Sequence, residues 1–176
     1  MLWKFEASNL LKEFELSNNP IVVTVNKFDE QSSEEFRNKF SMAQNTGQKV
    51  IPVVIDSYGG QVYSLMSMIA TIRASPLPVA TIAEGKAMSC GAVLATFGDE
   101  GRRFADPDST IMIHDVSSMG WGKVEELKAD AREADRLNAK IYTMMAQNCG
   151  KKDDYFLKLV DKKKHADWFL DADECV

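Results

Sequence analysis

The segment "VIPVVIDSYGGQVYSLMSMIATIRASPLPVATIAEGKAMSCGAVL", residues 50–94, carries the clearest folding signal in the chain. Two runs within it that are rich in β-branched residues, "KVIPVVID" (which begins one residue earlier) and "LPVATIAEG", predict strands, and the run between them has apolar residues at helical spacing. "CGAVLATF" predicts a second helix soon after the second strand. Strands that alternate with helices of this length need parallel crossovers, so the sequence predicts an α/β fold.

The same alternation continues on both sides of this segment. Before it, "PIVVTV" predicts a buried strand, and residues 29–47 predict a helix with acidic residues in its first turn. After it, "GRRFADPDSTIMIHD" predicts two short strands around a proline turn, and residues 122–150 predict a long amphipathic helix. No linker interrupts this alternation, so we expect a single main domain.

Composition narrows the range of functions. Of the 176 residues, 45% are hydrophobic, which is enough for a well-packed core, and the net charge of -5 disfavours nucleic acid as a partner. The N-terminus lacks the apolar run of a signal peptide or a membrane span, so we expect a cytoplasmic protein with no membrane partner. The three cysteines, which form no CxxC pair, are Cys90, Cys149 and Cys175. Their spacing predicts neither a metal site nor a disulfide framework. We also expect no cofactor.

Ser89 lies at the predicted corner between a strand and the helix that follows it. A serine hydroxyl becomes a good nucleophile when a neighbouring base takes its proton, and histidine suits that role near neutral pH. The sequence has two histidines: His114 ends the apolar run "TIMIH" at a predicted sheet edge, whereas His165 lies in a charged run that looks solvated. Ser89 and His114 therefore indicate nucleophilic catalysis. The simpler alternatives are a helix cap for the serine and a core-edge role for the histidine.

A Gly-Gly pair follows the strand before this corner. Gly59 and Gly60 lie between a predicted strand and a predicted helix, where bare backbone can turn tightly and present N–H groups. An oxyanion formed during acyl transfer is stabilised by such N–H groups. Successive crossovers can bring this loop beside the Ser89 corner, so the pair is a candidate oxyanion hole or, alternatively, only a turn.

Four segments, taken in order, resemble the signature segments of Clp protease proteolytic subunits (ClpP). They are "IDSYGGQV", "GKAMSCGAVL", "GRRFADPDSTIMIHD" and "HADWFLDADEC". The resemblance implies the crotonase-like α/β fold, with repeated β-β-α units and a protruding handle helix. It also implies a serine endopeptidase that cleaves unfolded proteins or peptides inside a self-compartmentalised ring assembly.

The resemblance assigns roles to individual residues. It implies that Ser89 is the nucleophile, that His114 is its general base, and that the acid of the triad, which precedes an aromatic–leucine pair in the family, is Asp167. The two oxyanion N–H groups fall on Gly60 and Cys90. The small residues after the serine, among them Gly91, are expected to let substrate and neighbouring backbone come close.

The resemblance also implies how the chain is organised. Residues 20–176 would form the peptidase domain, with residues 117–149 as its handle. Residues 1–19 match the family's axial gate loops poorly, and their own pattern predicts a short amphipathic helix, a candidate axial or gating helix. "SSMGWGK" resembles the handle strand that pairs with extended substrate, which implies substrate contacts for Met119, Gly120 and Trp121. The implied partners are polypeptide substrates, further copies of the chain in heptameric rings stacked as a tetradecamer, and an AAA+ ATPase unfoldase.

Three departures from the family pattern matter for the site. Tyr58 stands where the family usually has proline, which predicts a looser oxyanion loop, and Asp115 adds a negative charge directly after the proposed base. The stretch before Asp167 is a few residues longer than usual, so two other carboxylates compete for the role of the acid: Asp161 and Asp171.

Three alternative functions use the same residues differently. A catalytically silent ring subunit would keep the assembly without the reaction. A crotonase-like acyl-CoA enzyme would use the oxyanion hole for an enolate, but that chemistry calls for a carboxylate base. A serine–lysine peptidase would use Lys86, which is close to Ser89 in sequence. The position of His114 favours the histidine mechanism.

Overall fold

A computed structural model of the chain describes residues 3–4, 20–117 and 121–175. The described residues fall into two compact units: a first unit up to Met112 together with the residues from Phe169 onward, and a second unit, Ile113–Trp168. Of the segment predicted to form an N-terminal helix, Trp3 and Lys4 form a short strand, and the rest lies outside the described residues.

Strands and helices alternate through most of the chain. The strands are β1 (Trp3–Lys4), β2 (Val23–Val25), β3 (Ile51–Ser57), β4 (Val79–Met88), β5 (Arg103–Ala105), β6 (Thr110–Ile113) and β7 (Trp168–Asp171). The helices are α1 (Glu30–Gln44), α2 (Val62–Arg73), α3 (Cys90–Ala95), α4 (Val124–Asn148) and α5 (Tyr155–Lys162), followed by a 3-10 turn at Asp173–Cys175.

One sheet organises the first unit. Its strand order is β1-β5-β4-β3-β2, and all of these pairs are parallel, which confirms the predicted α/β class. The ten-residue strand β4 is long enough to pair with β5 along its first half and with β6 along its second, where Met88 is in register with Met112. The turn at Pro107 therefore lets two short strands share one edge of β4, and β7 pairs with β6.

The crossover helices cover the sheet with the faces that their sequences predict. Helix α1 begins at a capping box in which Asp29 accepts from the Ser32 N–H while the Ser32 hydroxyl accepts from the Asp29 N–H. Its buried aromatic residues, Phe36 and Phe40, stack on each other with their ring centroids 5.3 Å apart. Helix α2 buries its apolar stripe, which consists of Leu65, Met68, Ile69 and Ile72.

The second unit consists of α4, α5 and the segments that lead into and out of them. The C-terminal half of α4 is buried at Leu137, Ile141 and Met145, whereas its first turns, including the apolar residues Val124 and Leu127, are exposed. Helix α5 has only a narrow buried stripe, and the sequence pattern did not predict it. Among the described residues, no helix is both long and apolar enough to cross a bilayer.

Candidate active site

Ser89 lies between the last residue of β4 and the first residue of α3. Its backbone has φ 54° and ψ −120°, a strained conformation for a residue with a Cβ atom. The Ser89 N–H donates to Met112 O at 2.8 Å, which fixes the corner to β6. Its side chain is half-buried and makes no capping hydrogen bond to α3, so Ser89 is not a side-chain helix cap.

The Gly59–Gly60 loop passes directly over this corner. A Cβ atom built on Gly59 would lie 2.7 Å from Ser89 Cβ, which is too short for a side chain, and 3.1 Å from Ser89 Oγ, which is a tight contact. On Gly60 it would lie 2.4 Å from the carbonyl oxygen of Phe28. Both glycines also have positive φ angles, 108° and 147°. Only glycine fits these positions, because both the conformation and the space exclude a side chain.

Two backbone N–H groups near Ser89 are available to a ligand. The N–H of Gly60 donates to none of the described residues. Phe28 accepts instead from the next residue, with Gln61 N 2.7 Å from Phe28 O. The N–H of Cys90 is in the first turn of α3, where helical N–H groups have no acceptor within the helix. An anionic oxygen held beside Ser89 could accept from such donors.

The Cys90 side chain has a structural role. It is buried, and its Sγ atom donates to the carbonyl oxygen of Gly60 at 3.3 Å, which ties α3 to the glycine loop. Burial raises the pKa of the Cys90 thiol to about 11. The neutral thiol is a poor nucleophile, so this geometry disfavours Cys90 as the reactive group.

Gly91 is less tightly packed than the glycine loop. A Cβ atom added there would lie 3.4 Å from Ser57 O and 3.5 Å from Ile55 Cγ2, which are ordinary contact distances. The neighbouring protein atoms therefore tolerate a side-chain carbon at Gly91, whereas they do not at Gly59 and Gly60. The approach of substrate to Gly91 stays a prediction.

Lys86 is engaged in other contacts. Its Nζ atom pairs with Asp56 Oδ1 at 2.7 Å and lies 4.6 Å from the centre of the Tyr58 ring. The hydrogen bond to Asp56 raises the pKa of Lys86, which keeps the amine protonated. A protonated amine cannot accept the proton of a serine, so this arrangement disfavours the serine–lysine alternative. The same contacts brace Tyr58, the residue that replaces the usual proline beside the glycine loop.

The other predicted site residues belong to the second unit. His114 follows the last residue of β6 and is partly exposed, and Asp167 precedes β7 and is exposed. Within the described part of the second unit, neither side chain has a hydrogen-bond partner. Met119 and Gly120 lie outside the described residues, whereas Trp121 is fully exposed.

The competing carboxylates have contacts of their own. Asp171 Oδ1 accepts from the Glu174 N–H at 3.0 Å and so caps the C-terminal 3-10 turn. The side chain of Asp161 is 86% exposed and lies 3.9 Å from His165 Nε2. Asp171 therefore has a local structural role and Asp161 a long contact with His165, whereas Asp167 has no polar partner within the described part of the second unit.

Asp115 also has partners, which the sequence did not reveal. Its two carboxylate oxygens accept from Tyr142 Oη at 2.9 Å and from His165 Nδ1 at 2.6 Å. Hydrogen bonding to Asp115 and burial raise the pKa of the Tyr142 hydroxyl, with burial the larger cause. His165 is thus exposed but hydrogen-bonded, and both oxygens of the carboxylate after His114 have partners.

Within residues 20–117 and 121–175, no group of three or more His, Cys, Asp or Glu side chains is arranged to hold a metal ion.

Comparison with known families adds an independent observation. The family model described as Clp protease matches residues 7–176, nearly the whole chain. The chain belongs to the Clp protease family. This confirms the membership inferred from the four signature segments, and the parallel sheet with crossover helices is consistent with the crotonase-like fold of that family.

A curated Clp protease relative is similar over most of the chain. The ATP-dependent Clp protease proteolytic subunit of Porphyromonas gingivalis (strain ATCC BAA-308 / W83) is 33% identical over 128 residues. The alignment covers 73% of this chain but 56% of the relative, so the chain matches little more than half of the relative's length.

Proposed function

We propose that this member of the Clp protease family is a serine peptidase that hydrolyses polypeptide chains with Ser89 as its nucleophile. The observation that carries the proposal is the Ser89 corner. Its strained backbone presents an uncapped hydroxyl next to the available N–H groups of Gly60 and Cys90. A strained strand-to-helix turn that exposes a serine hydroxyl beside backbone donors is a recurring solution for acyl transfer.

The reaction follows from these groups. Ser89 Oγ attacks the scissile carbonyl carbon while His114 takes the hydroxyl proton. The imidazolium then transfers that proton to the leaving amine. The N–H groups of Gly60 and Cys90 donate to the oxyanion of the tetrahedral intermediate, and loss of one such donor raises the barrier by about 3 kcal/mol. A water molecule then attacks the acyl carbon while His114 takes its proton, and the imidazolium gives that proton to Ser89 Oγ as the acyl group leaves. Asp167 orients His114 in both halves of the reaction.

The assignment of His114 and Asp167 is supported by what the other candidates do. Lys86 is held protonated by Asp56, so it is unsuited to act as the base. Asp161 and Asp171 have local partners, whereas Asp167 has none in its own unit. These contacts leave His114 and Asp167 free for the reaction.

Substrate binding is assigned to the segment that precedes α4. We infer that Met119, Gly120 and Trp121 contact an extended polypeptide, with backbone hydrogen bonds of the kind formed when a peptide adds a strand. The fully exposed ring of Trp121 is consistent with a surface that receives a ligand.

Assembly is assigned to the handle, residues 117–149. Val124 and Leu127 are exposed apolar residues on the first turns of α4, and we infer that a second copy of the chain covers them. The family suggests heptameric rings stacked as a tetradecamer in the cytoplasm. The name of the Porphyromonas gingivalis relative, an ATP-dependent subunit, suggests an AAA+ ATPase as partner.

The test combines a fluorophosphonate probe with hydrolysis of an unfolded, fluorescently quenched polypeptide. The unvaried chain should be labelled and active, and Ser89→Ala should abolish labelling and lower hydrolysis at least about 10³-fold. Ser41→Ala, at an exposed serine on α1, is the matched control and should change neither.

Two results would count against the proposal. Labelling that persists in Ser89→Ala would place the nucleophile elsewhere. An unvaried chain that neither labels nor hydrolyses peptide would instead favour the silent ring subunit.

A further inference from the structure

A hydrogen-bonded histidine–aspartate pair lies in the second unit, next in sequence to the residues that the proposed function assigns to the reaction. His165 Nδ1 lies 2.6 Å from Asp115 Oδ2. Because a carboxylate oxygen only accepts, Nδ1 carries the proton and donates it. Asp115 directly follows His114, and His165 precedes Asp167 by two residues. One hydrogen bond therefore joins the segment that carries the proposed base to the segment that carries the proposed acid.

The segment after His114 is also fixed from α4. The buried Tyr142 donates its hydroxyl to Asp115 Oδ1 at 2.9 Å, and the Val116 N–H donates to Asn138 Oδ1 at 2.7 Å. Asp115 is thus held on one side by a buried residue of a helix. Its remaining oxygen is directed to His165, so the carboxylate links a fixed element to the loop before Asp167.

That loop has an unfavourable backbone. Helix α5 ends with the Lys164 N–H donating to Asp161 O and the His165 N–H donating to Val160 O, which is the Schellman arrangement that usually has glycine at its left-handed position. Here Lys164 and His165 have φ angles of 56° and 58°. Two consecutive residues with side chains in this region are strained, and such strain persists where surrounding contacts determine the conformation. The bond to Asp115 is such a contact.

The exposure of the pair argues against a mainly stabilising role. The His165 side chain is 61% exposed and that of Asp115 is 28% exposed. A polar contact with one partner this exposed contributes little to the free energy of unfolding. A short bond that adds little stability but joins two functional segments acts chiefly on their geometry.

We propose that Asp115, Tyr142 and His165 form a clamp that holds His114 and Asp167 in the register needed for proton transfer. These three are positioning residues for the reaction and do not contact substrate. The inference rests on the proposed function for its effect on catalysis, but the clamp itself is a property of the second unit. Displacements of about 1 Å in a catalytic group can cost on the order of a hundredfold in rate.

The first measurement tests the clamp without using activity. Hydrogen–deuterium exchange of the full chain is compared for Asp115→Ala, His165→Ala and Lys158→Ala. The last removes an exposed ion pair with Asp154 on α5 that joins neither segment. Asp115→Ala should raise exchange in residues 163–168, and His165→Ala should raise it in residues 113–117, whereas Lys158→Ala should change neither. Changes confined to the segment that carries the substitution would overturn the clamp.

The second measurement separates positioning from folding. Asp115→Ala and His165→Ala should each lower kcat about ten- to a hundredfold with KM within about twofold. The variant that carries both substitutions should be no worse than either single variant. His165→Asn places an amide N–H donor where Nδ1 lies and should restore most of kcat. Equal losses in Lys158→Ala, full additivity in the double variant, or no rescue by His165→Asn would each contradict the proposal.

The two hypotheses fail in different ways. An unvaried chain without peptidase activity contradicts the proposed function, and the exchange experiment alone then decides the clamp. An active chain whose kcat is unchanged in both Asp115→Ala and His165→Ala contradicts the clamp and leaves the assignment of Ser89 intact.

Discussion

The corner that carries Ser89 and the segments that carry His114 and Asp167 are held by different kinds of interaction. At the corner, backbone hydrogen bonds and positive φ angles define the path of the chain. The glycine loop packs so closely that a Cβ atom on Gly59 or Gly60 would lie less than 3 Å from a neighbouring atom. In the second unit, side-chain hydrogen bonds join the segments, and single substitutions at the buried Tyr142, the partly exposed Asp115 or the exposed His165 can remove them. The proposed nucleophile and oxyanion donors are therefore held mainly by backbone geometry, whereas the proposed base and acid depend on side-chain contacts that single substitutions can remove.

A large effect is expected at the proposed acid. Asp167→Asn should lower kcat on the order of 10⁴-fold, because an amide can hold His114 in the wrong tautomer. Steady-state hydrolysis of a quenched polypeptide measures this. Asp161→Asn and Asp171→Asn are the matched controls and should stay within about threefold of the unvaried chain, since surface substitutions of this kind are usually mild. A greater loss in either control than in Asp167→Asn would move the acid to that position.

The next effect tests the rigidity of the corner. Gly59→Ala places a methyl group 2.7 Å from Ser89 Cβ and should lower hydrolysis at least about a hundredfold, because the glycine loop or the serine must shift. Gly47→Ala has a similar backbone problem, φ 81°, but open space, and Gly91→Ala has ordinary contact distances. Both should retain hydrolysis within a few fold. Equal losses in all three variants would show that the corner is not specifically constrained.

A smaller effect concerns the pH dependence of stability. Burial raises the pKa of Cys90 from 9.0 to about 11, so the folded state keeps the neutral thiol while the unfolded state ionises. The stabilisation is complete below pH 9 and is lost as the pH rises towards 11, by at most about 2 to 3 kcal/mol. Urea unfolding at pH 8 to 10.5 should show a steeper decline in the unvaried chain than in Cys90→Ala. Parallel declines would mean that the thiol is solvated.

The smallest effect is expected at Lys86. Lys86→Met removes the contacts to Asp56 and Tyr58 but no group that the reaction uses, so hydrolysis should stay within about threefold. His114→Ala, measured alongside it, should lose nearly all activity. The reverse result would establish a serine–lysine mechanism and remove the second unit from the chemistry.

Much of the fold could be predicted from sequence, because most elements bury a regular apolar face. Strand β3 and helix α2 have the patterns of a buried strand and an amphipathic helix, and the structure places both in the predicted segments. Helix α5 was missed, because its buried stripe consists only of Phe156 and Val160 within a charged run. The first turns of α4 show the converse, since their apolar residues fit the helical period but remain exposed.

Some features of the candidate site could likewise be predicted from local sequence, and others could not. The position of Ser89 between a strand and a helix follows from local sequence, and the structure agrees. Which glycine is sterically required follows only in part, because the sequence marks Gly59 as part of a turn but does not show that the fold brings Ser89 against it and leaves ordinary contact distances at Gly91. The Asp115–His165 bond joins residues 50 positions apart, so no local pattern could have predicted it.

A crystal structure of the covalent adduct with a fluorophosphonate would test the central claim most directly. We expect phosphorus bonded to Ser89 Oγ, its phosphonyl oxygen about 2.7–3.1 Å from the N atoms of Gly60 and Cys90, and His114 within hydrogen-bonding distance of Ser89 Oγ. An adduct on another residue, or a phosphonyl oxygen that faces away from both N–H groups, would contradict the account.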